Sequence, residues 1–212
     1  MRFAAMALVA LLAQEKVLLE EKFAAKPGPG WSWVREDAGA WKVEGGALHI
    51  KSLPGKIWYK TKTAKNFLTH KVPAAGTAEA PVSIEVTVDS APEITAEQAG
   101  LYLHFDDANF VKIIRENVKG KVQVLLVREQ KNVPEPLTPK EESAGTVRLR
   151  LTWAGGKVSG AYKTTGDWVP VGEVEVPAGV DGANVGLASH GGAPDADRWA
   201  KFTALRIVQG AK

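Results

Sequence analysis

The sequence predicts an all-β, single-domain fold, a sandwich or a barrel. Three observations carry that expectation. Gly and Pro, 21 and 12 of them, cut the chain after Lys26 into short segments. The segments alternate, or run apolar and β-branched, which is the signature of strands. Turn signals recur about every 8–12 residues, the rhythm of all-β sandwiches and barrels.

The strands follow in order. Segments 47–51, 82–88 and 146–153 alternate apolar and polar residues, as a half-buried strand does. Segments 57–61, 99–105, 110–116, 121–128, 157–164, 184–189 and 199–208 complete the set. Segment 17–25 has helix composition but also reads as a strand. Loops are expected at 74–80, 131–144 and 193–197. The second holds Pro134, Pro136 and Pro139, which bars it from a central strand.

A chain of 212 residues fits one sandwich, and its 45% apolar content fills one intersheet space. The start reads as an export signal over residues 1–13. Met1-Arg2 is followed by a nearly unbroken apolar run from Phe3 to Ala13, with Gln14-Glu15-Lys16 after the cut. About 11 apolar residues fall short of the about 20 that span a bilayer, so no membrane span is expected. The other reading of this run is a buried N-terminal helix. The sandwich then occupies residues 17–209, in a secreted or periplasmic setting.

Charge and chemistry narrow the function classes. The net charge is +3 with both signs interspersed. No run of five or six basic residues marks a nucleic-acid partner. With no cysteine, disulfides and thiolate metal sites are excluded. His49, His70, His104 and His190 are scattered, without the paired spacing of a zinc site. No cofactor is expected. Asp106, Asp107, Asn109, Asp181, Asp195 and Asp197 are the only loose candidates for a structural calcium, and they lack loop-type ligand spacing.

One hairpin can be registered in advance. Turn residues Asp107-Ala108-Asn109 separate two strands. A three-residue loop sets Asp106 opposite Phe110. Leu101, Leu103 and Phe105 then share the core face with Val111 and Ile113. Tyr102, His104, Lys112 and Glu116 share the opposite face with Ile114. That second face is either solvated or the lining of a groove. Arg115 falls on the core side and must emerge at the sheet end.

Several pieces of the chain carry a family resemblance: Trp31-Ser-Trp33-Val-Arg35, Trp41-Lys-Val-Glu-Gly-Gly-Ala-Leu48, and Asn66-Phe-Leu68. The most specific is Glu97-Gln-Ala-Gly-Leu101 running through Asp106-Asp-Ala-Asn-Phe-Val-Lys112. Val147-Arg-Leu-Arg-Leu151, Val185-Gly-Leu-Ala188 and Ala200-Lys-Phe202 follow. Together they resemble the concanavalin A-like domains at the C-terminus of β-xylosidases, and the domain-of-unknown-function family 1349. The resemblance implies a two-sheet antiparallel jelly-roll sandwich among proteins that handle extracellular polysaccharide. Where that family has Tyr-Ser-x-Asp-Gly-x-x-Trp, this chain reads Tyr162-Lys-Thr-Thr-Gly-Asp-Trp168.

Catalytic patterns are missing. Glucanases of this fold set their acids as Glu-x-Asp-x-x-Glu on one strand, and retaining chemistry needs two carboxyls about 5–5.5 Å apart. Glu173-Val-Glu175 has the spacing without the third acid and reads as a solvated face. Sugar binding needs aromatic faces and planar polar groups. Of seven Trp, Trp41 and Trp153 read as core, while Trp58 and Trp168 read as exposed. The candidate ligand-binding residues are Tyr102, His104, Lys112, Arg35, Trp58, Trp168 and His190. They favour a secreted, non-catalytic carbohydrate-binding module. The alternatives are a glycoside hydrolase or lyase moving protons through His104 or Tyr102, and a structural or interaction domain of the cell envelope.

Overall fold

The computed structural model describes residues 15–210, so the signal expected at 1–13 lies outside the described residues. In chain order the strands are β1 Lys16–Glu21, β2 Trp31–Val34, β3 Trp41–Glu44, β4 Ala47–Lys51, β5 Ile57–Trp58 and β6 Thr61–Lys62. Then come β7 Phe67–Lys71, β8 Val82–Asp89, β9 Gln98–Asp106, β10 Asn109–Val118, β11 Lys121–Gln130 and β12 Val133–Pro136. The rest are β13 Lys140–Glu141, β14 Thr146–Ala154, β15 Lys157–Lys163, β16 Val169–Glu175, β17 Asn184–His190 and β18 Trp199–Gln209.

They form two antiparallel eight-stranded sheets, the jelly-roll sandwich expected. Sheet A runs β16-β15-β14-β8-β18-β4-β3, with β1 also on β18. Sheet B runs β12-β11-β10-β9-β17-β7-β2, with β13 also on β11. Residues 17–25, which carried a helix alternative, supply strand β1, whose Leu19 pairs with Ile207. Pairing along β18 outweighs their helix composition. The proline-rich 131–144 stretch holds two short edge strands, β12 and β13, where a missing N–H can face outward.

The core lies between the sheets. Val82, Ile84, Val86 and Val88 of β8 and Val147, Leu149 and Leu151 of β14 meet Leu101, Leu103, Val111, Ile113, Val124 and Leu126 of sheet B. Period-two alternation puts these residues on one face of each sheet. Trp153 is buried there as expected; Trp41 is half-buried against the same core.

The β9–β10 hairpin has the expected faces but a different register. Its loop is two residues, with Asn109 opposite Asp106, and a bulge between Asn109 and Phe110 then pairs Phe110 with His104 and Lys112 with Tyr102. The expected pairing is therefore off by two residues along the partner strand. A two-residue loop alone would have turned Lys112 into the core. The bulged residue restores the alternation. Asp106 Oδ1 accepts the Ala108 N–H at 2.7 Å, a side-chain bond that shapes this tight turn.

Segment 57–61, expected as one strand, is instead a hairpin. β5 and β6 pair only with each other across the turn Tyr59-Lys60. Tyr59 supplies the left-handed backbone (φ 53°) that such turns demand. The hairpin lies on the outward face of sheet B. Ile57 and Ala64 pack there on Phe67, Tyr102, Phe110, Ile114, Leu125 and Val127, a second core outside the first. Gly186 belongs to this layer: a Cβ at that position would run into the Phe67 ring.

Candidate functional site

The cover changes the character of the polar face read from the sequence. Most of that face is sealed, and only its Glu116 end lines an opening. Tyr102 and Lys112 are wholly buried, and His190 and Gln98 nearly so. Both sides of β9 and β10 are therefore inside the protein, and polar groups there need internal partners.

A cavity of about 400 Å³ opens beside the cover. Such a volume lies at the lower end of small-ligand pockets. The 54–56 segment and Trp58 form one wall, Gly191 and Gly192 another, and Gln98, Glu116 and His190 the polar floor. Each floor residue comes from sheet B's outward face: Gln98 opens β9, Glu116 pairs with it from β10, and His190 ends β17. Gly191 N–H donates to the Leu53 carbonyl at 2.9 Å, which ties the cover's start to the end of β17.

The floor is wired together. Gln98 Nε2 donates to Glu116 Oε1 at 3.3 Å, while its Oε1 accepts Lys112 Nζ at 2.8 Å. Burial raises the Glu116 carboxyl above the usual carboxylate range, with Lys112 pulling the other way. His190 Nε2 and the Tyr102 hydroxyl lie 3.2 Å apart. His190 Nδ1 is buried with no hydrogen-bond partner among the described residues. Burial first and then Lys112 push His190 down to about 3, so it is a neutral imidazole at ordinary pH. With the Tyr102 hydroxyl donating to Nε2, the imidazole proton sits on Nδ1, sealed from solvent beside the Gly55 backbone. Tyr102, driven up by burial, stays a neutral phenol.

The sequence-derived candidates thus divide. Trp58 and His190 line the cavity, and Lys112 and Tyr102 lie beneath it. His104 and Arg35 sit at the other end of β9, away from the cavity. His104 Nε2 is 3.4 Å from Asp107, and burial lowers its pKa against that carboxylate's pull. Arg35 Nε donates to the Ala64 carbonyl at 2.7 Å, and its Nη1 is 3.7 Å from Asp107. Trp168 is on the other sheet, with the Arg150 guanidinium 4.0 Å above its ring. Arg115 lies in the core register at the sheet end, donating to the Ser90 and Gly145 carbonyls.

Gln98 and Glu116 were missed as site residues. Glu116 was already on the right face, and Gln98 is the second residue of the most specific motif, so the signal was present without the cover that gives it meaning. Among the described residues, no cluster of three or more His, Cys, Asp or Glu is placed to hold a metal. Asp106 is engaged with Asn109 and Asp197 with Lys51 and Trp199. No helix among the described residues is long and apolar enough to cross a membrane.

The sequence model of the β-xylosidase C-terminal concanavalin A-like domain matches residues 20–207. Among solved structures, a mutant of the GH43 protein BlXynB from Bacillus licheniformis has a TM-score of 0.78 at 20% identity, over 91% of this chain and 39% of that one. Xylan β-1,4-xylosidase from Bacillus halodurans C-125 gives 0.75 at 16% identity, over 89% and 38% of the two chains. The CBM2 module of an evolved Dit from Lactobacillus casei BL23 phage J-1 gives 0.62 at 11% identity, over 94% and 98%. At these identities the likeness is one of fold. This chain spans about two fifths of the length of the two hydrolases. Among curated proteins, no sequence matches.

Proposed function

The chain belongs to the β-xylosidase C-terminal concanavalin A-like domain family, and on that premise we propose that it is an exported, non-catalytic module that binds carbohydrate. The observation that carries this reading is the cavity itself. It joins an exposed indole, Trp58, to a floor of planar polar groups, Gln98, Glu116 and His190. A sugar offers C–H faces to an aromatic ring and hydroxyls to such groups. Glu116, half-buried in the floor, accepts hydroxyl protons. The apolar run from Phe3 to Ala13 supports export.

Hydrolysis fits less well. Glycosidases act through two carboxyls, and Glu116 is the one acid among the residues lining the cavity. Tyr102 is sealed under the cover with its proton held, and His104 is at the far end of the strand. Neither reaches a bound substrate as a proton shuttle.

A glycan array followed by calorimetry on xylo-, arabino- and gluco-oligosaccharides tests the reading. The parent protein binds at least one of them. Trp58→Ala weakens that binding about tenfold, the worth of one aromatic stack. A parent that binds no glycan, or a Trp58→Ala variant that binds like the parent, sinks the proposal; a captured envelope protein on an empty array favours an interaction domain instead.

A further inference from the structure

The hairpin that carries Trp58 is held down by ions buried beneath it. Lys112, wholly buried mid-strand in β10, donates from Nζ to the Ile57 carbonyl at 3.3 Å and to Gln98 Oε1 at 2.8 Å. The same ammonium lies 5.4 Å from the Trp58 ring centroid, 5.6 Å from that of Tyr102 and 5.9 Å from that of Phe110. Glu129 of β11, also wholly buried, accepts the Tyr59 N–H at 3.0 Å and Lys62 Nζ at 2.5 Å. Ions at such depth contribute less to stability than apolar side chains of the same volume. Their neighbours Ile114, Leu125 and Val127 are apolar, so this face can be built without charge. The ions share another property: every bond named ends on the β5–β6 hairpin or on Gln98, the cavity's wall and floor.

We propose that Lys112 is a positioning residue for the cavity, its ammonium holding Trp58 and Gln98 where they form the wall and floor of the binding site. Glu129 fixes the far side of the same hairpin. The proposal rests on the reading of the cavity as a sugar site.

The electrostatics support it. Burial pushes Lys112 down to about 8; Glu116 and Glu129 oppose the shift, and Lys62 adds to it. The groups facing it are Glu116 on its own strand, Gln98 and Tyr102 on β9, Glu129 on β11, His190 on β17, and Trp58 and Lys62 from the hairpin. Tyr102 and His190 are moved away from the alkaline window, up and down respectively. Deprotonating Lys112 removes its attraction for the Trp58 face and leaves only neutral hydrogen bonds. Stability moves the other way. The folded-state value lies below the unfolded one, so between about pH 8 and 10.5 the unfolded chain holds a proton that the fold has released, and raising pH favours the fold. The same linkage makes any opening that solvates Lys112 rarer as pH rises, so its positioning role shows in the loss of its bonds rather than in its titration.

Hydrogen exchange of the intact protein and of its Lys112→Met variant, both at pH 7, reads this directly. Amides of the 57–62 hairpin exchange about tenfold faster in Lys112→Met. Those of β9 and β10 stay protected. Xylotetraose affinity drops about tenfold in the same variant. Equal hairpin protection in the two proteins overturns the proposal, as does loosening that spreads through sheet B or a variant that does not fold, since the lysine is then a structural group alone. Hairpin loosening in the variant without xylotetraose binding by either protein supports the positioning role and counts against the sugar reading.

Discussion

The two sheets of this sandwich share a core but treat their outer faces differently. Sheet A follows the common pattern for an antiparallel sheet, one face packed and one wet. Along β8 and β14 buried residues alternate with partly exposed ones, and the outer positions carry Glu85, Arg148, Arg150 and Thr152. Sheet B is buried on both faces through β9, β10 and β11, because the 53–66 segment folds over it. Charged groups on sheet A pair in solvent. Lys112 and Glu129, on the covered face of sheet B, are sealed in and committed to named partners. The lesson is that a polar residue's worth here depends on which sheet carries it.

The sharpest way to break this comparison is a matched pair of truncations. Phe110 is fully buried under the cover, and Phe110→Ala is expected to cost about 4 kcal/mol, the price of a large core deletion. Thr152→Ala, on the outer face of sheet A beside Ser83, is expected to cost about 1 kcal/mol or less. Urea denaturation measures both. A Phe110 loss as small as that of Thr152 means that the cover is not a core.

Removing one acid from each sheet gives a smaller contrast. Glu129→Ala strands the Tyr59 N–H and the nearly buried Lys62 ammonium, at about 3 kcal/mol. Glu85→Ala leaves Arg148 and Arg150 side chains that are 36% and 30% exposed and hydrate readily, at about 1 kcal/mol or less. Equal losses in urea melts place the two acids in equivalent surroundings and remove the distinction between the sheets.

Sheet A was the more legible of the two. Its strands 82–88 and 146–153 alternate in the sequence because water bathes one face. Sheet B was readable as faces but not as an environment. Alternation put Tyr102, His104, Lys112 and Glu116 together on one side, and the structure keeps them there. What covers that side was hidden, since the turn Tyr59-Lys60 lacks the Gly or Asn that announces a two-residue hairpin. The register of β9 against β10 was missed for a similar reason: a bulge at Asn109/Phe110 leaves the alternation intact while shifting every pair. The site residues followed suit. Trp58 was read as exposed and is; Gln98 entered only through a motif, because its role needs the cover in place.

Trp168 is the smallest test of the comparison and the cleanest. From sequence it stood beside Trp58 as a ligand-binding candidate, both being aromatic residues in turn-rich segments. The structure separates them by sheet. Trp168 lies at the turn before β16 of sheet A, with Arg150 4.0 Å and Lys163 4.9 Å from its ring centroid. Two cations already lie over its ring, which makes it a poorer platform for a sugar than Trp58. Stacked cations at a half-exposed site contribute about 0.5–1 kcal/mol. Trp168→Ala is therefore expected to lower stability by no more than that and to leave glycan affinity where it was, whereas Trp58→Ala changes affinity and hardly touches stability. Calorimetry on the two variants, with the same oligosaccharide, decides between the faces. Weakened binding in Trp168→Ala would move the site to sheet A, and with it the meaning of the buried charges on sheet B.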